Sequence, residues 1–127
     1  MQIVENDYVV CFDVDDTLIR WIWDEQERLQ HCNEMLEIDT TNRFQTMVLP
    51  YYEHIELLKR YKAKGKFIIV WSQSGYEWAK KVVETLNLTE YVDLVLTKPE
   101  KYVDDLNANE WMEHVYFGKK NDTTPHN

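Results

Sequence analysis

The sequence predicts an α/β protein built on a small parallel sheet with helices on its faces. Three observations carry that expectation. An apolar, β-branched run extends from Tyr8 to Val14, and a second from Phe67 to Trp71. From Pro50 onward, helical and strand periodicities alternate. Alternation of this kind favours parallel strands joined by right-handed crossovers.

Met1 to Asp7 is a polar lead-in, and Tyr8 to Val14 is the first strand. Residues 19–49 form a long insertion compared with the usual connection of about 4–6 residues. It carries Trp21 and Trp23, then a polar stretch that predicts a short helix over Glu25–Cys32. Met35–Ile38 and Phe44–Leu49 follow as strands around the turn formers Asp39 to Asn42, which predicts a β-hairpin. The insertion is too small for a core of its own, and it is placed to cover or flank a site as a flap. Pro50 is expected to open a helix whose apolar face is Tyr51, Ile55, Leu58 and Tyr61, and Gly65 to end it. The Phe67 strand runs to Ser72. Ser74 and Glu77 have the spacing of a capping box, ahead of a helix with Trp78, Val82, Val83 and Leu86 on one stripe. Val92–Leu96 is the third strand and Tyr102–Val103 a very short fourth. A short helix is expected near Glu110–His114, and residues 118–127 read as a loose tail.

The 127 residues fit a single domain, 1–127, and 44% hydrophobic content supplies a core. No apolar run approaches the roughly 20 residues that span a bilayer, and no signal peptide is evident. Cys11 and Cys32 suggest no disulfide framework, so a reducing cytoplasm is the expected compartment. A net charge of -9 argues against non-specific duplex binding, which needs clustered Lys and Arg. The four histidines have no metal spacing and read as surface or structural.

The chemistry is expected at the carboxyl ends of the strands, where open parallel sheets bind ligands. The first strand ends in Asp13, Asp15 and Asp16, three carboxylates within four residues. Crowded carboxylates repel one another, and Mg²⁺ would relieve them, since it takes carboxylates together with waters and phosphate oxygens. The second strand ends in Ser72, the third is followed by Lys98, and the fourth ends in Asp104 and Asp105. Acids, a hydroxyl and an ammonium at one edge make a coherent set for phosphoryl transfer. Ser72 and the Asp104–Asp105 pair also have a purely structural reading as helix caps. Asp16 and Thr17 read as loop formers. Trp21 and Trp23 follow the acidic loop and are placed to line an entrance.

The stretch Phe12-Asp13-Val14-Asp15-Asp16-Thr17-Leu18 resembles the Asp-x-Asp-x-Thr motif of the haloacid dehalogenase-like (HAD) hydrolases. Val70-Trp71-Ser72, Lys98 and Val103-Asp104-Asp105 are similar to that family's second, third and fourth motifs, in the same order. Within the family, the chain looks most like small capless or minimally capped members encoded by bacteriophages. The resemblance implies a Rossmann-like three-layer fold with sheet order 3-2-1-4. It also implies a Mg²⁺-dependent phosphatase in which Asp13 forms an aspartyl-phosphate and Asp15 is the general acid/base. By the same resemblance, Asp13, the Asp15 carbonyl and Asp104 hold the metal, and Asp105 is a further ligand. Ser72 contacts a phosphoryl oxygen, and Lys98 balances charge; Lys101 competes for that role. The amides of Gln73 to Gly75, at a helix start, are candidate anion donors. The substrate is left open between small phosphate esters, nucleotides and oligonucleotide ends. The short sheet leaves edges that favour a homodimer. Two other functions fit the same residues: a phospho-accepting receiver-like module, and a catalytically weak protein that binds a nucleotide or a host factor.

Overall fold

Two three-stranded sheets organise the chain in the computed structural model, which describes residues 8–38 and 46–118. The parallel sheet contains β1 (Val9–Asp13), β5 (Phe67–Ser72) and β6 (Leu94–Thr97), with β5 in the centre. Its register sets Asp13 beside Trp71 and Ser72 beside Thr97, so the three strands finish together at one edge. The antiparallel sheet contains β2 (Ile19–Arg20), β3 (Leu36–Ile38) and β4 (Thr46–Pro50), in the order β2-β4-β3. The turn expected at Asp39–Asn42 lies outside the described residues. No helix among the described residues is long and apolar enough to cross a membrane.

The helices are α1 (Glu25–Gln30), α2 (Tyr52–Ala63) and α3 (Tyr76–Thr85). Asp24 caps α1 by accepting from the Gln26 N–H at 3.1 Å. Pro50 does not open α2. It closes β4 opposite Ile19, and the strand pairing runs on through Tyr51, whose N–H donates to the Leu18 carbonyl. α2 ends as the glycine predicts. Gly65 has φ 86°, its N–H donates to the Lys62 carbonyl, and the Lys66 N–H reaches back to Tyr61.

Both long helices pack on the same side of the parallel sheet. Phe12, Ile68 and Val70 share a core with Ile55 and Leu58 of α2 and Val82 and Val83 of α3. The alternate residues Cys11, Ile69, Trp71 and Leu96 lie outside that core, and on the same side Val9 is 55% exposed, Phe67 41% and Leu94 42%. The expected helix layer on the second side of the parallel sheet is therefore not formed by α2 or α3. Strand order explains it: the crossovers β1→β5 and β5→β6 step the same way along the sheet, so one handedness sends both helices to one face.

Two other expected elements are not formed. Tyr102 and Val103 lie in a loop, not a fourth strand, and Val103 is fully exposed. Two apolar residues between Lys101 and Asp104 offer too little to bury. Tyr102 instead packs edge-on against Trp111, and its hydroxyl accepts from the Ala108 N–H. The helix expected at Glu110–His114 is a single 3-10 turn, Ala108–Glu110, closed by reciprocal Asn107–Glu110 capping. Trp111, Met112 and Val115 are exposed, so no packed stripe extends it. Gly118, at the start of the expected tail, is fitted against α2. A Cβ there would overlap the Tyr51 hydroxyl and the Tyr116 ring.

Candidate active site

Asp13 is the last residue of β1, and Val14 begins a tight turn. The Val14 carbonyl accepts from the N–H groups of Thr17, Leu18 and Ile19 at 3.1, 2.9 and 3.2 Å. Asp16 takes a left-handed conformation, φ 61°, which aspartate tolerates better than most residues. Three outside contacts fix this loop. Asp16 Oδ1 accepts from the Trp21 N–H at 3.3 Å, and the Asp16 carbonyl accepts from the Tyr116 hydroxyl at 3.2 Å. His54 Nδ1–H donates to the Thr17 carbonyl at 2.8 Å. His54 is buried, and its Nε2 accepts from the Phe117 N–H at 3.0 Å, which fixes the neutral Nδ1–H tautomer. Burial, reinforced by contact with Tyr51, pushes Tyr116 up to about 12, so it remains a donor.

The site carboxylates sit in different surroundings. Asp13 is half-buried, and the Lys98 ammonium stands 3.8 Å from its Oδ1. Thr17 Oγ1 lies 3.5 Å from Oδ2, at the limit of a hydrogen bond. Burial pushes the Asp13 carboxyl above the ordinary aspartate range, and Asp15 adds to this. Lys98, the Val14 N–H and Thr17 oppose it without cancelling it. Asp15 has both oxygens engaged: Trp78 Nε1 donates to Oδ1 at 2.9 Å and Ser74 Oγ to Oδ2 at 3.1 Å.

Ser72 is fully buried. Its Oγ accepts from the Ser74 N–H at 3.0 Å, and its carbonyl accepts from the N–H groups of Gly75 and Lys98. That last bond anchors Lys98 beside Asp13. Lys101 is elsewhere, exposed and facing Glu100 at 3.4 Å. The Ser74–Glu77 capping box is not formed, because the Ser74 hydroxyl goes to Asp15. Gly75 is the N-cap residue, with φ 108° and ψ 165°, a conformation open essentially to glycine alone. Thr97 Oγ1 takes the Tyr76 N–H at 2.9 Å. The Ser74 and Gly75 amides, expected to face an anion, are thus used within the turn, while Gln73 is exposed at its tip.

Asp13, Asp15, Ser72 and Lys98 therefore come together at the sheet edge. Asp104 and Asp105 do not join them. They lie in the exposed loop that replaces the fourth strand, where Asp104 Oδ1 accepts from the Leu106 N–H at 3.0 Å. Among the described residues, no three His, Cys, Asp or Glu side chains group as a metal site would need. The hard oxygen donors suit Mg²⁺ in kind, but the expected set is incomplete in this arrangement.

Three participants were not anticipated as contacts of the site, Trp78, Thr97 and His54, and Ser74 acts through its hydroxyl where only its amide was expected. Ser74, just before the Gly75 N-cap, and Trp78, in the first turn of α3, both donate to Asp15. The aromatic surface also continues outward. Trp21 stacks on Trp78 at 5.9 Å and 18°, and on Trp23 at 5.9 Å and 14°. No family model, curated protein or solved structure matches the chain.

Proposed function

We propose that this chain is a phosphoric monoester hydrolase acting through an aspartyl-phosphate on Asp13. The reading rests on one observation above all: a half-buried Asp13 carboxylate faces the Lys98 ammonium at 3.8 Å, with a second carboxylate, Asp15, held beside it. Asp13 would attack phosphorus, and the ester oxygen would leave with a proton from Asp15. Water would then attack the acyl phosphate and give its proton to Asp15, releasing phosphate and returning Asp13 to its carboxylate and Asp15 to its protonated form. Lys98 offsets charge on Asp13 and on the phosphoryl oxygens. A Ser72 contact to phosphate requires its sealed turn to open. Mg²⁺ enters as the resemblance implies it, with the Asp13 carboxylate freer to hold it than that of Asp15, both of whose oxygens accept hydrogen bonds. Asp104 and Asp105 contribute to its binding only if their loop closes onto the site. A covering role for the β3–β4 hairpin belongs to the same proposal, as do a cytoplasmic location and pairing of two copies.

The test is phosphate release from p-nitrophenyl phosphate, nucleotides, sugar phosphates and 3′- or 5′-phosphorylated oligonucleotides, with and without Mg²⁺. The expected result is Mg²⁺-stimulated turnover and a covalent phosphate label that hydroxylamine removes. No release from any of these would sink the reading. A second reading, a phosphate-ester-binding module with little turnover, is favoured by the closed hydrogen bonding of Asp15 and by the exposed Asp104 loop, which completes no metal-ligand group among the described residues. Stable labelling by acetyl phosphate without turnover would indicate a receiver-like role instead.

A further inference from the structure

We propose that Trp23 and the groove beside it form a nucleobase subsite, so that the substrate is a nucleotide, free or at the end of a short single strand. This rests on the phosphatase reading above and narrows it. Trp23 is 86% exposed, an unusual position for an indole with no partner on its outer side among the described residues. It is not an isolated surface residue. It stacks on Trp21, Trp21 stacks on Trp78, and Trp78 donates to Asp15. An aromatic surface thus runs from a site carboxylate to solvent.

Trp23 also borders an open groove of about 510 Å³, within the range of small-molecule sites. Leu29, Met35 and Met47 line it with apolar and thioether surface that adapts to a flat ring. Arg28 adds a planar cation and Glu25 an acceptor, both suited to the edges of a base. A ligand that uses both features needs a phosphate and a π-face. Nucleotides have both, and sugar phosphates lack the second. Stacking on an aromatic side chain accepts any base, so the subsite selects the class and not the letter. The net charge of -9 weighs against a long strand, which leaves a mononucleotide or a short strand end as sources of the same chemistry.

The experiment measures kcat/KM for AMP, a 5′-phosphorylated dinucleotide and ribose 5-phosphate, and in parallel the quenching of tryptophan fluorescence by AMP. The nucleotides should be preferred over ribose 5-phosphate, and Trp23→Ala should cut that preference about tenfold. Trp23→Phe, which keeps a π-face, should restore most of it. Whether AMP or the dinucleotide is better identifies the source. An unchanged preference in Trp23→Ala overturns the subsite. If no ester is hydrolysed, the phosphatase reading falls separately and quenching decides: AMP quenching that is lost in Trp23→Ala supports the subsite, and its absence in the unmodified chain overturns it.

Discussion

Asp13→Asn is expected to abolish phosphate release, by at least about 10³-fold, while making the metal-free chain more stable at neutral pH. The two effects share a cause. Burial raises the Asp13 carboxyl, with Asp15 adding to it against Lys98, Val14 and Thr17, so the folded chain holds that proton more tightly than the unfolded chain does. Stability is then greatest below the unfolded value. It falls as pH rises toward and through the raised folded value, and the cost of the ionised group is fully present above it. Asparagine keeps the shape without the charge, and the gain is partly offset because Lys98 loses its partner. Urea unfolding from pH 4 to pH 7 checks this. The wild-type midpoint should fall across the window relative to the variant, and a variant less stable than wild type at pH 7 would contradict it. A trade of stability for chemistry is expected where a catalytic group is partly desolvated.

His54→Ala should cost about 3 kcal/mol of stability and lower kcat as well. The side chain is buried, and its removal strands two groups at once: the Thr17 carbonyl in the acidic loop and the Phe117 N–H in the C-terminal segment. It also leaves a void among Tyr51, Tyr116 and Phe117. Because Thr17 lies beside Asp13, loosening its carbonyl should be felt in turnover. Denaturation midpoints and steady-state rates measured on the same preparation test both parts. Loss of stability without loss of rate would assign His54 to packing alone.

The parallel strands were legible because each is a dense apolar run, and the residues that follow such runs fall at one edge by topology. Lys98 and Lys101 are not separable from sequence. The deciding contact is a backbone bond from the Lys98 N–H to the Ser72 carbonyl, which no local pattern encodes. The Ser74 capping box was misread for a related reason. Its hydroxyl had a charged acceptor available, Asp15, from 59 residues away. Tyr102–Val103 has strand-forming residues but no neighbour to pair with, so local preference lost to context. His54 sits on a helix without any metal spacing, and only the fold reveals that it bridges two distant segments.

The partly exposed side of the parallel sheet has a calorimetric consequence. Heat capacity rises on melting because apolar groups become hydrated, and groups such as Val9, Phe67 and Leu94 are substantially wet already. A lone chain should therefore melt with an increment below the roughly 12–15 cal/mol/K per residue usual for globular proteins. A melting temperature that climbs with protein concentration would instead report that copies of the chain shelter this side from water.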